Sequence, residues 1–387
     1  MRRISMLLSL LAVTTGIARA NDWPMYKGNA GRDGFTAREL PGKLALRWVV
    51  REAHAPAPAW PASNRMGFDR AHHPVIAGDT LYYGSTTDCH LHALDAATGK
   101  ERWTFCTGGP IRFAPAAWKD RVFTASDDGW LYCLAAADGK LLWKKQGGPD
   151  DRMLLGNDRI TSRWPARGGP VVFEDTVYFA AGIWPTEGIY LYALDAATGK
   201  QIWVNDKAGS IYMGQPHGGA YAASGVGAQG YLVVNGDQLL VPTGRAVPAS
   251  FDRLTGKFNY FHLQALGHKG GSSTFAMGPY FFNAGYTYDA ATGKVLDPIV
   301  GGEVAGVPDG LILSTAKNVK GKGGDIVAYK WADKTKAVKG QIALAKYKGL
   351  EKQWTIPQGR SMFQTGKALW PIFHDLRRNS TSPVSQA

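Results

Sequence analysis

The stretch Leu91–Trp103, LHALDAATGKERW, decides the fold because the chain repeats it. Residues 131–143 read LYCLAAADGKLLW, and residues 191–203 read LYALDAATGKQIW. Weaker copies are SFDRLTGKFNY at residues 250–260 and YTYDAATGKVLD at residues 286–297. The final positions of successive copies are 40, 60, 57 and 37 residues apart. A period near 40 residues with inserts of about 20 predicts an array of small structural units and not separate domains.

Each unit is predicted to form four short antiparallel strands. In the first unit, the apolar runs Pro74–Ile76 and Thr80–Tyr83 are split by the turn residues Ala77–Asp79. The motif adds two strands joined at Asp-Ala-Ala-Thr-Gly-Lys, where Asp95 can bind the turn amides and Gly99 can adopt a positive φ. The strands are apolar on both sides, which is typical of sheets covered on both faces. The sequence therefore predicts an all-β β-propeller of four-stranded antiparallel blades.

The repeats predict about seven blades, within a range of six to eight. Units begin near residues 73, 113, 169, 226, 273 and 303. The run LALRWVV at residues 44–50 resembles a lone fourth strand that ends in a docking tryptophan, so it would complete the seventh blade and latch the ring. The repeat pattern is lost after Pro357, so the last blade is the one expected to be incomplete.

The hairpin within the motif also predicts a disulfide bond. If the first and last residues of the turn pair, a ring lies opposite the final tryptophan in three units. The predicted ring pairs are His92–Trp103, Tyr132–Trp143 and Tyr192–Trp203. The same register places Cys89 opposite Cys106, close to bridging range. We therefore expect a Cys89–Cys106 disulfide and a free Cys133, whereas a bulge at Gly99 would shift the register and place the two sulfurs on opposite faces.

The N-terminus is typical of a secretory signal peptide. Arg2 and Arg3 precede a short apolar core, and Ala18-Arg19-Ala20 fits a small-x-small cleavage site. We expect cleavage after Ala20 and a soluble exported protein, periplasmic or secreted, because the apolar core is too short to span a bilayer. Such a compartment permits disulfides. The expected organisation is a signal peptide at residues 1–20, a single β-propeller domain at residues 21–374 and a disordered tail at residues 375–387.

Composition and charge narrow the function classes. Of the 387 residues, 45% are hydrophobic and 19% are charged, which excludes an intrinsically disordered protein. The formal net charge is +13, but an exported chain is not expected to meet nucleic acid. The lysine-rich segment 317–352 is expected to be a solvated loop or a low-complexity insert. A monomer is the expected state.

The motif resembles that of a known family. The run Ala93-x-Asp95-x-x-Thr98-Gly99-Lys100-x-x-Trp103 resembles the tryptophan-docking motif of the pyrroloquinoline-quinone (PQQ) type β-propeller repeats. This family includes quinoprotein alcohol dehydrogenases and the cofactor-free propeller lipoprotein of the outer-membrane β-barrel assembly machinery. The resemblance covers roughly residues 44–330, and the opening Asp22–Asn29 is similar to that of exported PQQ-like proteins without assigned enzymology. The structural docking residues that it implies are Trp103, Trp143, Trp203, Asp95, Gly99, Asp195 and Gly199.

The same resemblance makes PQQ with calcium the alternative cofactor prediction. The dehydrogenases usually carry two adjacent cysteines beside the quinone, and this chain has no adjacent pair. Their calcium-binding and catalytic carboxylate motifs match no segment here. We therefore assign no catalytic, cofactor-binding or metal residue and expect neither a cofactor nor an enzyme. The run Cys89-His90-x-His92 permits a metal site, but His90 and His92 take slots that are aromatic in the other units.

Binding residues are expected on one face of the ring. The inserts at residues 145–168 and 205–225 are long and polar, and loops on a rigid scaffold often carry function. The candidate residues in these inserts and in nearby connections are Arg163, Trp164, Arg167, Trp184, His217 and Arg245. The alternative is that the arginines pair with local carboxylates and the tryptophans cap the core.

The sequence thus predicts a non-catalytic binding or scaffold protein of the cell envelope. Its expected partner is an envelope protein or a small ligand on the ring face. One alternative is a PQQ- and calcium-dependent quinoprotein dehydrogenase, and another is a truncated relative without independent function.

Overall fold

The computed structural model covers most of the repeat region. It describes residues 22–39, 45–61, 68–156, 159–216, 218–264, 270–298, 304–306, 312–317, 324–337, 344–356, 361–364, 368–372 and 384–385. The predicted signal peptide, its cleavage site after Ala20 and His217 lie outside these residues. Of the tail predicted to be disordered, the structure describes Val384–Ser385, which pair with Ala368–Leu369.

The described residues form six blades, and each blade has its four strands in chain order from one edge to the other. Blade 1 contains β1 (Val75–Ala77), β2 (Thr80–Gly84), β3 (His90–Asp95) and β4 (Glu101–Cys106). Blade 2 contains β5 (Ala116–Trp118), β6 (Arg121–Ala125), β7 (Trp130–Ala135) and β8 (Leu141–Gln146). The hairpin of β9 (Met153–Gly156) and β10 (Arg159–Ser162) follows blade 2.

Blade 3 contains β11 (Gly168–Phe173), β12 (Thr176–Ala181), β13 (Tyr190–Asp195) and β14 (Gln201–Asn205). A second hairpin, β15 (Ile211–Gly214) with β16 (Tyr221–Ser224), follows blade 3, and β17 (Gly230–Tyr231) then pairs in parallel with β11. Blade 4 contains β18 (Val233–Asn235), β19 (Gln238–Val241), β20 (Ala249–Asp252) and β21 (Phe258–Tyr260).

Blade 5 contains β22 (Thr274–Met277), β23 (Tyr280–Asn283), β24 (Tyr286–Asp289) and β25 (Val295–Pro298). Blade 6 contains β26 (Val304–Gly306), β27 (Ile312–Lys317), β28 (Gly324–Ala337) and β29 (Leu344–Ile356). A three-stranded sheet of β30 (Ser361–Gln364), β31 (Ala368–Ile372) and β32 (Val384–Ser385) comes last.

The predicted fold class is confirmed. The first strands of blades 1 to 6 contact one another in order and line the inside of the ring. Within a blade, the connections between the first and second strands and between the third and fourth strands lie at one end, which we call the lower rim. The connections between the second and third strands and between successive blades lie at the other end, which we call the upper face. Both extra hairpins, β9–β10 and β15–β16, belong to blade-to-blade connections and therefore to the upper face.

The motif turns close at the lower rim by side-chain capping. Oδ1 of Asp95 accepts hydrogen bonds from the Thr98 amide at 2.8 Å and from the Thr98 hydroxyl at 2.8 Å, and Gly99 adopts φ 72°. Asp195 and Gly199 form the same turn in blade 3, again with φ 72° at the glycine. The positive φ explains why glycine recurs at this position.

The predicted hairpin register is wrong by one residue. A β-bulge between Ala93 and Leu94 shifts β3 against β4, so Ala93 faces Trp103 and His92 faces Thr104. Bulges at the equivalent positions of blades 2 and 3 have the same effect. The observed pairs there are Cys133–Trp143, Tyr132–Lys144, Ala193–Trp203 and Tyr192–Val204. Each final tryptophan therefore faces a small residue across the strand.

The same shift overturns the predicted disulfide. His90 and not Cys89 is opposite Cys106, and Cys89 lies before the strand with φ 63°. Cys89, Cys106 and Cys133 are all free thiols. Cys133 is fully buried, as expected of a small core residue, and burial raises the pKa of its thiol to about 12.

The segment 23–33 runs across the lower opening of the ring. Its residues hydrogen-bond to the inner strand of every blade from 1 to 6. The bonds join Trp23 to Ile76, Pro24 to Ala117, Arg32 to Pro170, Ala30 to Val234, Gly31 to Ala276 and Asp33 to Gly306. Arg32 is fully buried and donates to the carbonyls of Tyr26, Pro170 and Leu232 at 2.9–3.1 Å. Burial lowers the pKa of Arg32 to about 10.

The lysine-rich segment was expected to be a loop, but the described part of it forms a long hairpin. Beyond the bulge between Ala328 and Tyr329, β28 and β29 form nine further pairs, from Tyr329–Lys352 to Ala337–Leu344. Apolar contacts also hold the hairpin in place, and the high lysine content of the segment did not predict them. The Trp331 ring stacks on Tyr280 of blade 5 with 3.9 Å between centroids, and Leu350 is buried.

Helical structure is scarce in the described residues. A short 3-10 turn, Pro185–Glu187, lies in the upper connection between β12 and β13. In the part of the chain that the structure describes, no helix has the length and apolar character needed to cross a bilayer.

Candidate functional site

The predicted docking tryptophans lie between blades at the lower rim. Trp103 covers Gly139 of blade 2 so closely that a Cβ there would lie 2.5 Å from its Cε3 atom, and its Nε1 donates to Ala136 O at 3.0 Å. The same packing repeats around the ring. The further ring–glycine pairs are Trp48–Gly99, Trp143–Gly199, Trp203–Gly256 and Tyr260–Gly293. These residues therefore hold blades together and are not available for ligand binding.

Two neighbouring cavities open on the upper face. The first has a volume of about 240 Å³ and lies between Trp60, Arg167 and Trp184. The second has a volume of about 400 Å³ and lies between Trp184, Gln229 and Arg245. Trp184 and Ile183 belong to both walls. Trp184 is 49% exposed, so its ring separates the two cavities without closing either of them.

A buried ion-pair cluster forms the floor of the first cavity. Asp127 accepts from Arg112 Nε at 2.6 Å, and from Arg167 Nε at 2.6 Å and Nη2 at 2.9 Å. Arg112 Nη1 also donates to Asp69 at 2.8 Å. Burial alone would raise the pKa of Asp127, but Arg167 and Arg112 hold it below the ordinary value. The four side chains are almost completely buried, so the cluster is a rigid, charge-balanced base.

The structure divides the predicted binding residues into two groups. Arg163 forms an ion pair with Glu187, and Trp164 is buried with its Nε1 donating to Glu187 O at 2.6 Å. These two residues match the alternative reading of local pairing and core capping. Trp184, Arg167 and Arg245 line the cavities, and His217 lies outside the described residues.

Arg245 is the most accessible cation of this group. Its side chain is exposed in the upper connection between β19 and β20, and within the described ranges no carboxylate forms an ion pair with it. Gln229, in the same wall, is 6% exposed, and its Oε1 has no hydrogen-bond partner in this part of the chain. The wall of the second cavity thus combines a cation that has no ion pair in the described residues with an amide oxygen that has no hydrogen bond there.

Sequence reasoning missed Trp60, Arg112 and Asp127. Trp60 lies in a proline- and alanine-rich stretch without a repeat, so its sequence carries no signal. Arg112 does share one with Arg167, because each arginine lies three residues before a proline near the start of a unit, Pro115 and Pro170. Comparing that position between units would have identified Arg112.

The residues at the cavities do not fit a calcium–PQQ centre. Calcium takes six to eight oxygen ligands, many of them from carboxylates. Here Asp69 and Asp127 face Arg112 and Arg167, and Glu187 faces Arg163. The described residues also contain no cluster of three or more His, Cys, Asp or Glu side chains arranged to hold a metal ion.

His90 and His92, which the sequence permits as metal ligands, lie at the surface of blade 1. Nε2 of His92 lies 3.0 Å from Asp88 Oδ2, and its ring stacks on Tyr83 with 4.7 Å between centroids. Nδ1 of His90 lies 2.7 Å from the carbonyl oxygen of Asp88. Both rings are therefore engaged by local polar and aromatic contacts.

Comparison with known proteins gives partial matches to several quinoproteins and to signalling proteins. The chain is 35% identical over 145 residues to the serine/threonine-protein kinase AfsK of Streptomyces griseus, covering 34% of this chain and 15% of that protein. It is 30% identical over 143 residues to the dehydrogenase subunit of alcohol dehydrogenase (quinone) of Gluconobacter oxydans, covering 34% and 18% respectively. The chain thus matches less than a quarter of the length of either relative.

Solved structures show the same fold at low sequence identity. The europium-containing methanol dehydrogenase superposes with a TM-score of 0.58 at 14% identity over 91% of this chain and 82% of that chain. The quinohemoprotein alcohol dehydrogenase of Comamonas testosteroni superposes with a TM-score of 0.53 at 16% identity over 92% and 70%. A family profile described as outer membrane protein assembly factor BamB matches residues 48–257, which is more than half of the chain. The chain therefore belongs to this family of PQQ-like repeat β-propellers.

Proposed function

We propose that this protein is a non-catalytic binding or scaffold protein of the cell envelope and that it docks a partner protein on its upper face. The observation that carries the proposal is the exposure of large apolar side chains on the two upper hairpins. On β9–β10, Leu155 is 79% exposed and Ile160 is 65% exposed. On β15–β16, Tyr212 is 73% exposed and Tyr221 is 64% exposed.

On each hairpin, the two exposed apolar side chains form a pair. Leu155 and Ile160 are cross-strand partners in their hairpin, and the rings of Tyr212 and Tyr221 stack with 5.9 Å between centroids. Trp184 lies between the hairpins at the cavity mouths. Contiguous exposed apolar groups are costly in water and are typical of sites that bind another macromolecule. Aromatic side chains are also the groups that contribute most to protein interfaces.

The chemistry of the face supports binding more than catalysis. The carboxylates beside the cavities are held by arginines, so they are poor candidates for proton transfer or metal binding. The membership in the BamB-described family agrees with a scaffold role, although it fixes no partner. As part of the same proposal, residues 1–20 act as a signal peptide cleaved after Ala20, and a monomeric propeller of residues 21–374 works in the periplasm or outside the cell.

Site-specific photo-cross-linking in the producing cell tests the proposal. A photoreactive amino acid at Leu155 or Tyr212 should give a discrete cross-linked band of higher mass. The matched control is Ala197, which is exposed at the lower rim and should give no such band. Mass spectrometry of the band identifies the partner. Equal cross-linking from Ala197 and Leu155, or none from either upper hairpin, would contradict the proposal.

A further inference from the structure

The first cavity contains two buried hydrogen-bond donors that have no acceptor. Arg167 is 4% exposed, and its Nε and Nη2 both donate to Asp127. Its Nη1 lies on the opposite edge of the guanidinium and has no hydrogen-bond partner within the described ranges. Nε1 of Trp60 is likewise buried without a partner there. Unsatisfied buried N–H groups are rare and costly, so two of them on residues that line one cavity point to a bound molecule that supplies the acceptors.

The charge of the wall selects an anionic acceptor. Arg112, Arg163 and Arg167 line the first cavity, and no carboxylate is among its lining residues. The carboxylates that balance these arginines are Asp69, Asp127 and Glu187, and each is engaged with them in an ion pair. A cation entering the cavity would therefore meet three arginine side chains and no carboxylate, whereas a carboxylate would receive charge-assisted hydrogen bonds. The hydroxyl-bearing residues Thr161 and Ser162 complete the polar side.

The opposite side of the cavity is apolar and aromatic. Leu154, Ile183 and Trp184 line it, and the rings of Trp60 and Trp184 meet edge to face with 6.4 Å between centroids. A cavity of about 240 Å³ lies below the range of about 300–1,000 Å³ for drug-sized ligands, so it suits a smaller molecule. The polar and apolar sides together require a ligand with one charged end and one flat apolar body.

We propose that the first cavity binds a small aromatic carboxylate. The carboxylate accepts hydrogen bonds from Arg167 Nη1 and Trp60 Nε1, and the ring packs against the apolar side formed by Leu154, Ile183 and Trp184. The site adjoins the surface proposed to dock a protein, because Leu155 of the β9–β10 hairpin is among the residues that line the cavity. A ligand in the cavity would also contact Trp184, which borders both sites.

Titration with benzoate tests the site directly. In proton–nitrogen correlation spectra, benzoate should shift the Trp60 indole N–H resonance saturably, with a dissociation constant of about 1 mM or tighter. Benzyl alcohol has a similar ring without the carboxylate and should produce no saturable shift of that resonance. Trp60→Phe identifies the resonance by its disappearance. That variant keeps an aromatic ring but removes the donor, so calorimetry should show benzoate affinity reduced roughly tenfold.

Two further variants complete the test. Arg167→Lys keeps a charge facing Asp127 but lacks Nη1, and it should also lose most benzoate affinity. Trp118→Phe changes a tryptophan at the lower rim and should bind benzoate like the unaltered protein. The proposal is wrong if benzoate causes no saturable shift, if benzyl alcohol binds equally, or if Trp60→Phe retains full affinity. Failure of the Leu155 cross-link would overturn the protein-docking proposal alone.

Discussion

At the lower rim, successive blades meet through one repeated contact, in which a large ring covers the glycine of the next blade's turn. At the upper face, the described blade-to-blade connections differ from one another. One connection carries the β9–β10 hairpin, the next carries β15–β16, and the cavities open between them. The rim contact needs a glycine and a ring at fixed positions, so it constrains the sequence. The upper connections do not carry this contact, so their sequences can vary. The ring can therefore acquire function at the upper face and still stay closed.

The strongest test of this comparison is to remove one rim contact. Trp203 is 9% exposed, covers Gly256 and donates to Arg253 O at 2.9 Å. Trp203→Ala should lower the free energy of unfolding by about 3–5 kcal/mol because it leaves a cavity between two blades. Urea denaturation measures the change. Its neighbour Ile202 is 53% exposed, so Ile202→Ala should cost about 0.5 kcal/mol or less. A loss below about 1 kcal/mol for Trp203→Ala would show that the rim contact does not hold the blades.

The next test concerns the buried floor of the upper face. Asp127→Asn should cost about 3 kcal/mol at neutral pH, because Arg112 and Arg167 would then share no buried carboxylate between them. In the unaltered protein the pKa of Asp127 is lowered by folding. The stability that the Asp127 carboxylate contributes is therefore fully present above the ordinary Asp pKa of about 4. It is lost as the pH falls through the lower pKa of Asp127 in the folded protein.

Urea midpoints measured from pH 5 downwards check this pH dependence. The unaltered protein should lose stability more steeply than Asp127→Asn as the pH falls, since the variant lacks the titrating group. Glu187→Gln serves as a control because Glu187 is partly exposed. If the urea midpoints of the unaltered protein and of Asp127→Asn fall equally as the pH is lowered, the Asp127 carboxylate does not titrate with folding.

A smaller loss is expected when the lower opening is disturbed. Arg32→Met removes the donors to three backbone carbonyls but keeps an apolar stem in the buried space. We expect a loss of about 2 kcal/mol in the free energy of unfolding. Arg38→Met, at an exposed position shortly after this segment, should leave the urea midpoint unchanged. If the two variants unfold alike, the carbonyls of Pro170 and Leu232 do not depend on Arg32.

The smallest effect on stability is expected at the upper hairpins. Leu155→Lys places a charge where the side chain is already 79% exposed, so the unfolding free energy should change by about 0.5 kcal/mol or less. The same substitution should weaken capture of the partner found by cross-linking at Tyr212. Together these results would show that the upper hairpins serve binding, whereas the lower rim serves stability. Marked destabilisation by Leu155→Lys would instead make the hairpin part of the folded core.

The predictability of this molecule follows the same division. The ring, its four-stranded blades and the positions of their first strands could be predicted, because the turn capped by Asp95 and Gly99 recurs with its tryptophan. The predicted pairing of β3 with β4 was wrong because a bulge adds one residue beside Ala93. A bulge does not change the apolar pattern of the sequence, so it could not be predicted from it. The Cys89–Cys106 pairing failed with it.

The upper site was less predictable for a physical reason. Asp127, Arg112 and Arg167 come from different connections, and the packing of the adjacent blades 2 and 3 brings them together. Local sequence cannot distinguish an arginine that will face a carboxylate from one that will face solvent. Trp184 and Arg245 were found because they lie in connections between the second and third strands of recognisable units, whereas Trp60 lies in a stretch that no repeat marks.

The segment across the lower opening has a consequence for the order of folding. Residues 23–33 leave the ribosome before any blade, yet Asp33 bonds to Gly306 and Lys27 bonds to Val304 O, 277 positions later in the chain. Neighbouring blades can pair early through local contacts, but this segment cannot complete its bonds until blade 6 has emerged. Contacts of such long sequence separation slow folding. The first residues of the propeller are thus among the last to become native, and until then the open ring exposes the edges of its inner strands.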